Sequence, residues 1–254
     1  MADWVLSEKR GEIALLTINR PEARNAINFE VMDALEALLP MLNADPAVRG
    51  AVLTGAGDRA FSAGMDIKVA AGFNAESAAS WMARLKRFFA AIRDFDKPLV
   101  AAVNGVAAGA GYQITLLCDI RVGHAEALMG QTEINVGLAS VVGAQIMALS
   151  LGHSRTVELT LSGRLMDGRE CHAVGLFHLL VEKGDVLPQA IAAARELGAK
   201  PPNAMRLTKQ RFREVTQAAF DSAFEAGARL QAEAYRSGEP QAVMATFKER
   251  KKNP

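Results

Sequence analysis

The stretch from Lys97 to Asp119, KPLVAAVNGVAAGAGYQITLLCD, leaves this chain few ways to fold. Leu99 to Val103 is an uninterrupted apolar run of strand length. Asn104-Gly105 then breaks it, as a turn dipeptide does. VAAGAG follows, in which every side chain is small or missing, and Ile114 to Cys118 continues at helical spacing until Asp119. A membrane span is rejected although Leu99 to Cys118 carries no charge. Asn104, Gln113 and the glycines make the run weakly apolar, whereas a spanning helix needs about 20 mostly apolar residues. The dinucleotide signature GxGxxG is absent from the stretch.

A strand, a small-residue turn and a helix start form a chemical device. The first N–H groups of a helix have no internal partners and sit at the positive end of its dipole. They can hold an anion, or an oxygen becoming one. Gly109, Ala110 and Gly111 are therefore candidates for an oxyanion site. Close packing of a buried helix on a strand selects the same small residues, and the stretch alone leaves both readings open.

The chain has 254 residues, half of them hydrophobic, enough for one large core with an appendage. A net charge of +1 gives no field suited to nucleic acid or a membrane surface. The tail KERKKNP reads as a solvated end. MADWVLSEKRG carries no apolar segment of the secretory type, so a cytoplasmic location is expected. Cys118 and Cys171 are too few for a disulfide framework and read as core residues. His124, His153, His172 and His178 have neither metal-ligand spacing nor a nucleophile partner, and no metal site is expected.

Trp4 to Glu8 and Ile13 to Asn19 read as two strands, and RPEARNAI as a loop. Phe29 to Leu42 has helical period, Gly50 to Thr54 is a buried strand, and GAGDRAFSAGMD, from Gly55 to Asp66, is a loop. Ala75 to Phe95 is helical. Ile120 to Val122 and Leu128-Met129 are short strands. Ile134 to Ser150 is uncharged and reads as a buried helix, Val157 to Ser162 as helix, and Leu176 to Val181 as the last strand. Beyond Pro188 four helices are expected, over Gln189 to Leu197, Asn203 to Glu214, Thr216 to Tyr235 and Pro240 to Lys251.

Four segments, RPEARNAI, AFSAGMDI, AAVNGVAAGAGYQITLLCDIRV and MGQTEINVGL, occur in an order and spacing that resemble the crotonase superfamily, the enoyl-CoA hydratase/isomerase family. The resemblance runs from about Trp4 to Lys251. It implies an α/β fold, a spiral of strand-strand-helix turns over residues 1–190, followed by a helical region over 191–254 that assembles trimers or paired trimers. It also implies an acyl-coenzyme A thioester as substrate, with no cofactor beyond the coenzyme A that the substrate carries.

By position, the resemblance places the thioester oxygen between the N–H groups of Ala63 and Ala110. Coenzyme A would lie along Ala23, Arg24, Ala26, Ala63, Asp66 and Ile67, with Gly109 close by. Arg24 would meet a phosphate, or is a solvated loop arginine. Tyr112 would line the acyl pocket, or is a core aromatic. Ala110 stands where the family usually has glycine, and it keeps the N–H donor. Family hydratases carry two glutamates. The second is present as Glu133, but Gln113 occupies the place of the first and cannot act as a general base. A positioned acid or base is worth roughly 10² to 10⁴ in rate.

One carboxylate is sufficient to move a double bond, so isomerisation of a 3-enoyl-CoA through Glu133 is the first expectation. Hydration of a 2-enoyl-CoA is the second. Thioester hydrolysis and a non-catalytic CoA-binding assembly protein are further alternatives, because a fold does not fix its chemistry.

Overall fold

The computed structural model describes residues 3–250, with side chains through Thr246. The last residue of the expected terminal helix, Lys251, and most of the basic tail lie outside that range.

The chain opens with a hairpin of β1 (Val5–Arg10) and β2 (Ile13–Ile18), turned at Gly11. α1 (Phe29–Ala44) is started by Asn28, whose side chain accepts from the Val31 N–H at 3.0 Å. It continues through Pro40, two residues beyond the expected end. Three strand pairs follow. β3 (Gly50–Gly55) leads to β4 (Ala60–Ser62), then to the short α2 (Ile67–Ala70) and α3 (Ala78–Arg93). β5 (Leu99–Val103) and β6 (Val106–Ala108) lead to α4 (Ala110–Leu117). β7 (Ile120–His124) and β8 (Leu128–Gly130) lead to a 3₁₀ turn, Glu133–Val136, and α5 (Val142–Ser162). This is the expected strand-strand-helix spiral.

In each pair the first strand enters one sheet and the second strand another. The large sheet runs β1-β2-β3-β5-β7-β10, parallel beyond the hairpin, with β10 formed by Leu179–Val181. The small sheet runs β4-β6-β8-β9, with β9 at Met166–Asp167 antiparallel. β4 and β6 read from sequence as loop and small-residue turn. They are too short and too poor in branched residues to give a strand signal.

The central strands of the large sheet are buried on both faces, and alternate residues divide between them. Leu16, Ile18, Leu53, Ala101 and Val103 join the main core with α1 and α3. Ile13, Leu15, Val52, Val100, Ala102 and Val122 pack on α7 (Val186–Gly198) through its Ala190 and Ala194. Between β9 and β10 lies α6 (Gly168–Ala173).

Several expected helices change. Ile134 to Ser150 is not one helix. Gly137, at φ 74°, ends the 3₁₀ turn, and α5 begins only at Val142. The expected helices 203–214 and 216–235 are a single one, α8 (Pro202–Arg236), because nothing at Val215 interrupts the backbone ladder. α8 packs Phe220 and Phe224 near Phe89 of α3. Its end returns to the spiral, where the Tyr235 hydroxyl donates to the Ala70 carbonyl at 3.1 Å. α9 (Glu239–Arg250) follows. Among the described residues no helix is long and apolar enough to cross a membrane.

A tight joint that bears on the cavity lies between α4 and β4. A Cβ on Gly111 would stand 2.4 Å from the Ser62 carbonyl oxygen. Gly111→Ala is expected to cost about 1–3 kcal/mol, seen as a lower urea midpoint. Gly184→Ala meets open space and is expected to stay within about 0.5 kcal/mol.

Candidate active site

The joint brings two small-residue loops together. Gly64, at φ 96°, lies so close to α4 that a Cβ there would be 2.7 Å from the Ala108 oxygen and 3.6 Å from the Ala110 nitrogen. Gly109, at φ 50°, turns the chain from β6 into α4. A Cβ on Gly109 would meet the Glu133 Oε1 at 3.4 Å. A side chain at either glycine would be strained by its φ, and one at Gly64 would also push the loops apart.

The hydrogen bonds of the FSAGMD loop decide which N–H groups are free. Ala63 donates to the Arg24 carbonyl at 2.9 Å, Gly64 to the Ser62 Oγ at 3.2 Å, and Asp66 to the Ile27 carbonyl at 2.8 Å. Among the described residues the Met65 N–H has no acceptor. The same holds for the Ala110 N–H, the first of α4. The expectation that Ala63 supplies an oxyanion donor is therefore corrected: its N–H is already engaged, and the free donor two residues on belongs to Met65. Sequence position alone could not separate them, because the choice depends on how the loop pairs with Arg24 and Ile27.

A cavity of about 370 Å³ opens at these N–H groups. Ala63, Ile67, Gly109, Ala110, Gln113 and Glu133 line it, as the sequence suggested. Apolar walls come from Phe73, Trp81 and Leu85, and the C-terminal helices close it with Tyr235 and Met244. Among the described residues Glu133 is its only carboxylate.

Glu133 is half-buried as a residue, but its carboxyl Oε2 is shielded from solvent and has no partner. Oε1 accepts from the Gln113 Nε2 at 2.6 Å, and the same amide approaches the Gln131 Oε1 at 3.3 Å. Gln131 is fully buried, and its own Nε2 is unpartnered. Burial pushes the Glu133 carboxyl up to about 7, although N–H groups of its own backbone, of Thr132 and of the Gln113 side chain draw it down. Gln131 was missed in the sequence, where GQTE offers no signal that its amide turns inward.

Other expected residues lie elsewhere. Tyr112 is completely buried in the main core and does not line the cavity. Ala23, Arg24 and Ala26 form a loop outside the cavity lining, with Arg24 exposed and left-handed at φ 52°. The Asp66 carboxylate is engaged by the Lys68 N–H at 2.9 Å and by Arg20 at 2.9 Å. Arg20 also donates to the Ala26 carbonyl, and buried Asn25 ties the loop to the Ala56 and Ala60 carbonyls. These two residues hold the rim in place. Cys118 and Cys171 are buried and free. Among the described residues no group of three His, Cys, Asp or Glu side chains has metal-site geometry.

A paired-loop spiral with one buried carboxylate beside two free N–H groups defines a class, and comparison with known proteins agrees. The model of the family described as "Enoyl-CoA hydratase/isomerase" matches residues 8–254. A putative enoyl-CoA hydratase of Thermus thermophilus is 33% identical over 95% of this chain and 97% of its own. A crotonyl-CoA hydratase of Syntrophomonas wolfei is 30% identical over 98% and 96%. An enoyl-CoA hydratase/isomerase structure from Pseudoalteromonas atlantica superposes with TM-score 0.86 at 28% identity, over 98% of each chain. The chain belongs to the enoyl-CoA hydratase/isomerase family, the crotonase family.

The raised carboxyl carries a stability signature. Between its ordinary value of 4.5 and about 7, Glu133 binds a proton more fully in the folded protein than in the unfolded one. Its contribution to stability therefore falls as pH rises through that window. Glu133→Gln is expected to raise Tm at pH 8 relative to wild type, with the gain shrinking towards pH 5. Paired thermal melts across that range check the sign.

Proposed function

We propose that this chain acts on an enoyl-coenzyme A thioester with Glu133 as its single proton carrier, and that the net reaction is addition of water to 2-enoyl-CoA. The observation that carries this reading is the unpartnered Glu133 Oε2 on an apolar cavity whose mouth holds two free N–H groups. The thioester oxygen would lie between the Met65 and Ala110 N–H groups, which meet its charge as the enolate forms. A water would donate to the Glu133 Oε2 and accept from the Gln131 Nε2. Glu133 takes one proton from it as the water oxygen attacks the β carbon, and the electron pair moves to the thioester oxygen. Glu133 then returns the proton to the α carbon. Coenzyme A would run along Ala23 to Ala26, where the exposed Arg24 guanidinium can meet a phosphate.

The relatives' names favour hydration, ahead of the double-bond shift that the sequence put first. One observation favours the shift as a second reading. Gln113 is neutral and donates to Glu133, so the cavity holds one carboxylate where a hydratase of the family has two. In that case Glu133 removes the α proton of a 3-enoyl-CoA and returns it to the γ carbon, with no water consumed.

Separate incubations with 2-enoyl-CoA and 3-enoyl-CoA, with products identified by mass, test the two readings. Hydration adds a water, isomerisation leaves mass unchanged, and free CoA would mean hydrolysis. Glu133→Gln is expected to lose roughly 10² to 10⁴ in kcat with little change in affinity for a saturated acyl-CoA. In wild type, kcat/KM should rise with pH through about 7, since the base must be ionised to accept a proton. Gln113→Glu is expected to speed hydration by about one to two decades, because two coupled carboxylates can hold and deprotonate a water. Unchanged hydration in that variant would remove Gln113 from the reaction.

The same reading includes assembly into trimers or paired trimers. α5 exposes Leu149, Val157 and Leu161, and α8 exposes Leu207, Phe212 and Val215. Apolar stripes of this kind suit a second copy of the chain. Light scattering at micromolar concentration should give a trimer mass or twice that, and a monomer would refute it.

A further inference from the structure

Nine buried side-chain polar atoms lack a hydrogen-bond partner among the described residues, and four of them belong to residues lining the one cavity: Gln131, Glu133, Ser140 and Gln231. Unpartnered buried polar atoms are costly, so their concentration in one cavity calls for a ligand that satisfies them. The mechanism above uses Gln131 and Glu133. It leaves the Ser140 hydroxyl and the Gln231 Oε1 without a role.

These two residues are neighbours on the cavity lining. Gln231, on α8, donates its Nε2 to the Ala139 carbonyl at 2.7 Å, which seats the amide against the residue before Ser140. That bond also fixes the amide's orientation, since a reversed amide would set oxygen against oxygen. The Gln231 Oε1 can therefore only accept, while the neighbouring Ser140 hydroxyl is free to donate. Around them the cavity is walled by apolar side chains such as Met82, Val142 and Tyr235.

We infer that Ser140 and Gln231 recognise a hydroxyl group carried on the acyl chain beyond the reacting carbons, so that the preferred substrates are hydroxylated acyl-coenzyme A thioesters. A hydroxyl carries both functions that these atoms lack, a donor for the Gln231 Oε1 and an acceptor for the Ser140 hydroxyl. A carboxylate would be repelled by the Gln231 oxygen, and a bare carbonyl would satisfy only Ser140. This inference rests on the reading that the cavity holds the acyl group of a CoA thioester.

Calorimetric titration of the purified protein with a saturated medium-chain acyl-CoA and with its positional hydroxy isomers tests it. Saturated chains cannot react, so affinity is read without turnover. One isomer hydroxylated beyond the β carbon is expected to bind about tenfold more tightly than the plain chain. Gln231→Met and Ser140→Ala should each bring that ratio close to one. Ser140→Ala keeps the Ala139–Gln231 bond, so it decides the matter if Gln231→Met does not fold. If water alone satisfies the two atoms, no isomer outbinds the plain chain, and the inference is overturned. A preference that Ser140→Ala leaves intact overturns it equally. Turnover of plain 2-enoyl-CoA on the same preparation separates this result from the parent reading. A protein that turns over the plain chain without any hydroxyl preference loses only this inference. One that prefers a hydroxylated chain but transforms no enoyl-CoA loses the proposed reaction instead.

Discussion

The site depends on backbone meeting backbone at Gly64 and Gly111. Two missing side chains let the FSAGMD loop reach the start of α4, at separations that a Cβ would not permit. Two N–H groups from different turns of the spiral then point into one cavity with no acceptor among the described residues. The small sheet exists to make that approach possible. Each of β4, β6 and β8 is three residues long, but together they set the second strands of successive turns side by side.

A second constraint is the burial of a carboxylate. Glu133 sits at the end of β8 in a 3₁₀ turn, and Asn135 anchors that turn to the end of α5 through the Gly163 carbonyl at 2.7 Å. Its surroundings offer N–H donors but no cation, so burial dominates and its affinity for a proton rises towards neutrality. That poises it to accept and release a proton near pH 7, at some cost to the stability of the fold. Gln113 holds one carboxylate oxygen, which leaves the other without a partner.

The C-terminal region does more than extend the chain. α8 crosses the face of α3 and returns Tyr235 to the Ala70 carbonyl, and Met244 of α9 closes the same cavity. The cavity is thus walled by segments far apart in sequence. Ser140 and Gln231 both line it because α8 reaches the segment before α5.

The sequence alone carried the family, the alternation of strands and helices, and the grouping of Glu133, Gln113 and Ala110, which the fold brings to one cavity, since these rest on local pattern and on motif order. It also carried the burial of the large sheet, because uninterrupted apolar strands have no other stable placement. It did not carry β4 and β6 of the small sheet, which are too short and too small-sided to show a period. Ala63 and Met65 could not be told apart either, because a free N–H is a property of hydrogen bonds made to Arg24 and Ile27. Tyr112 illustrates the same limit: on a buried helix both faces are apolar, and only packing decided that it turns to the core rather than the cavity. Helix ends such as Val215 went astray for the opposite reason, since a weak local signal was overridden by continuous packing along α8.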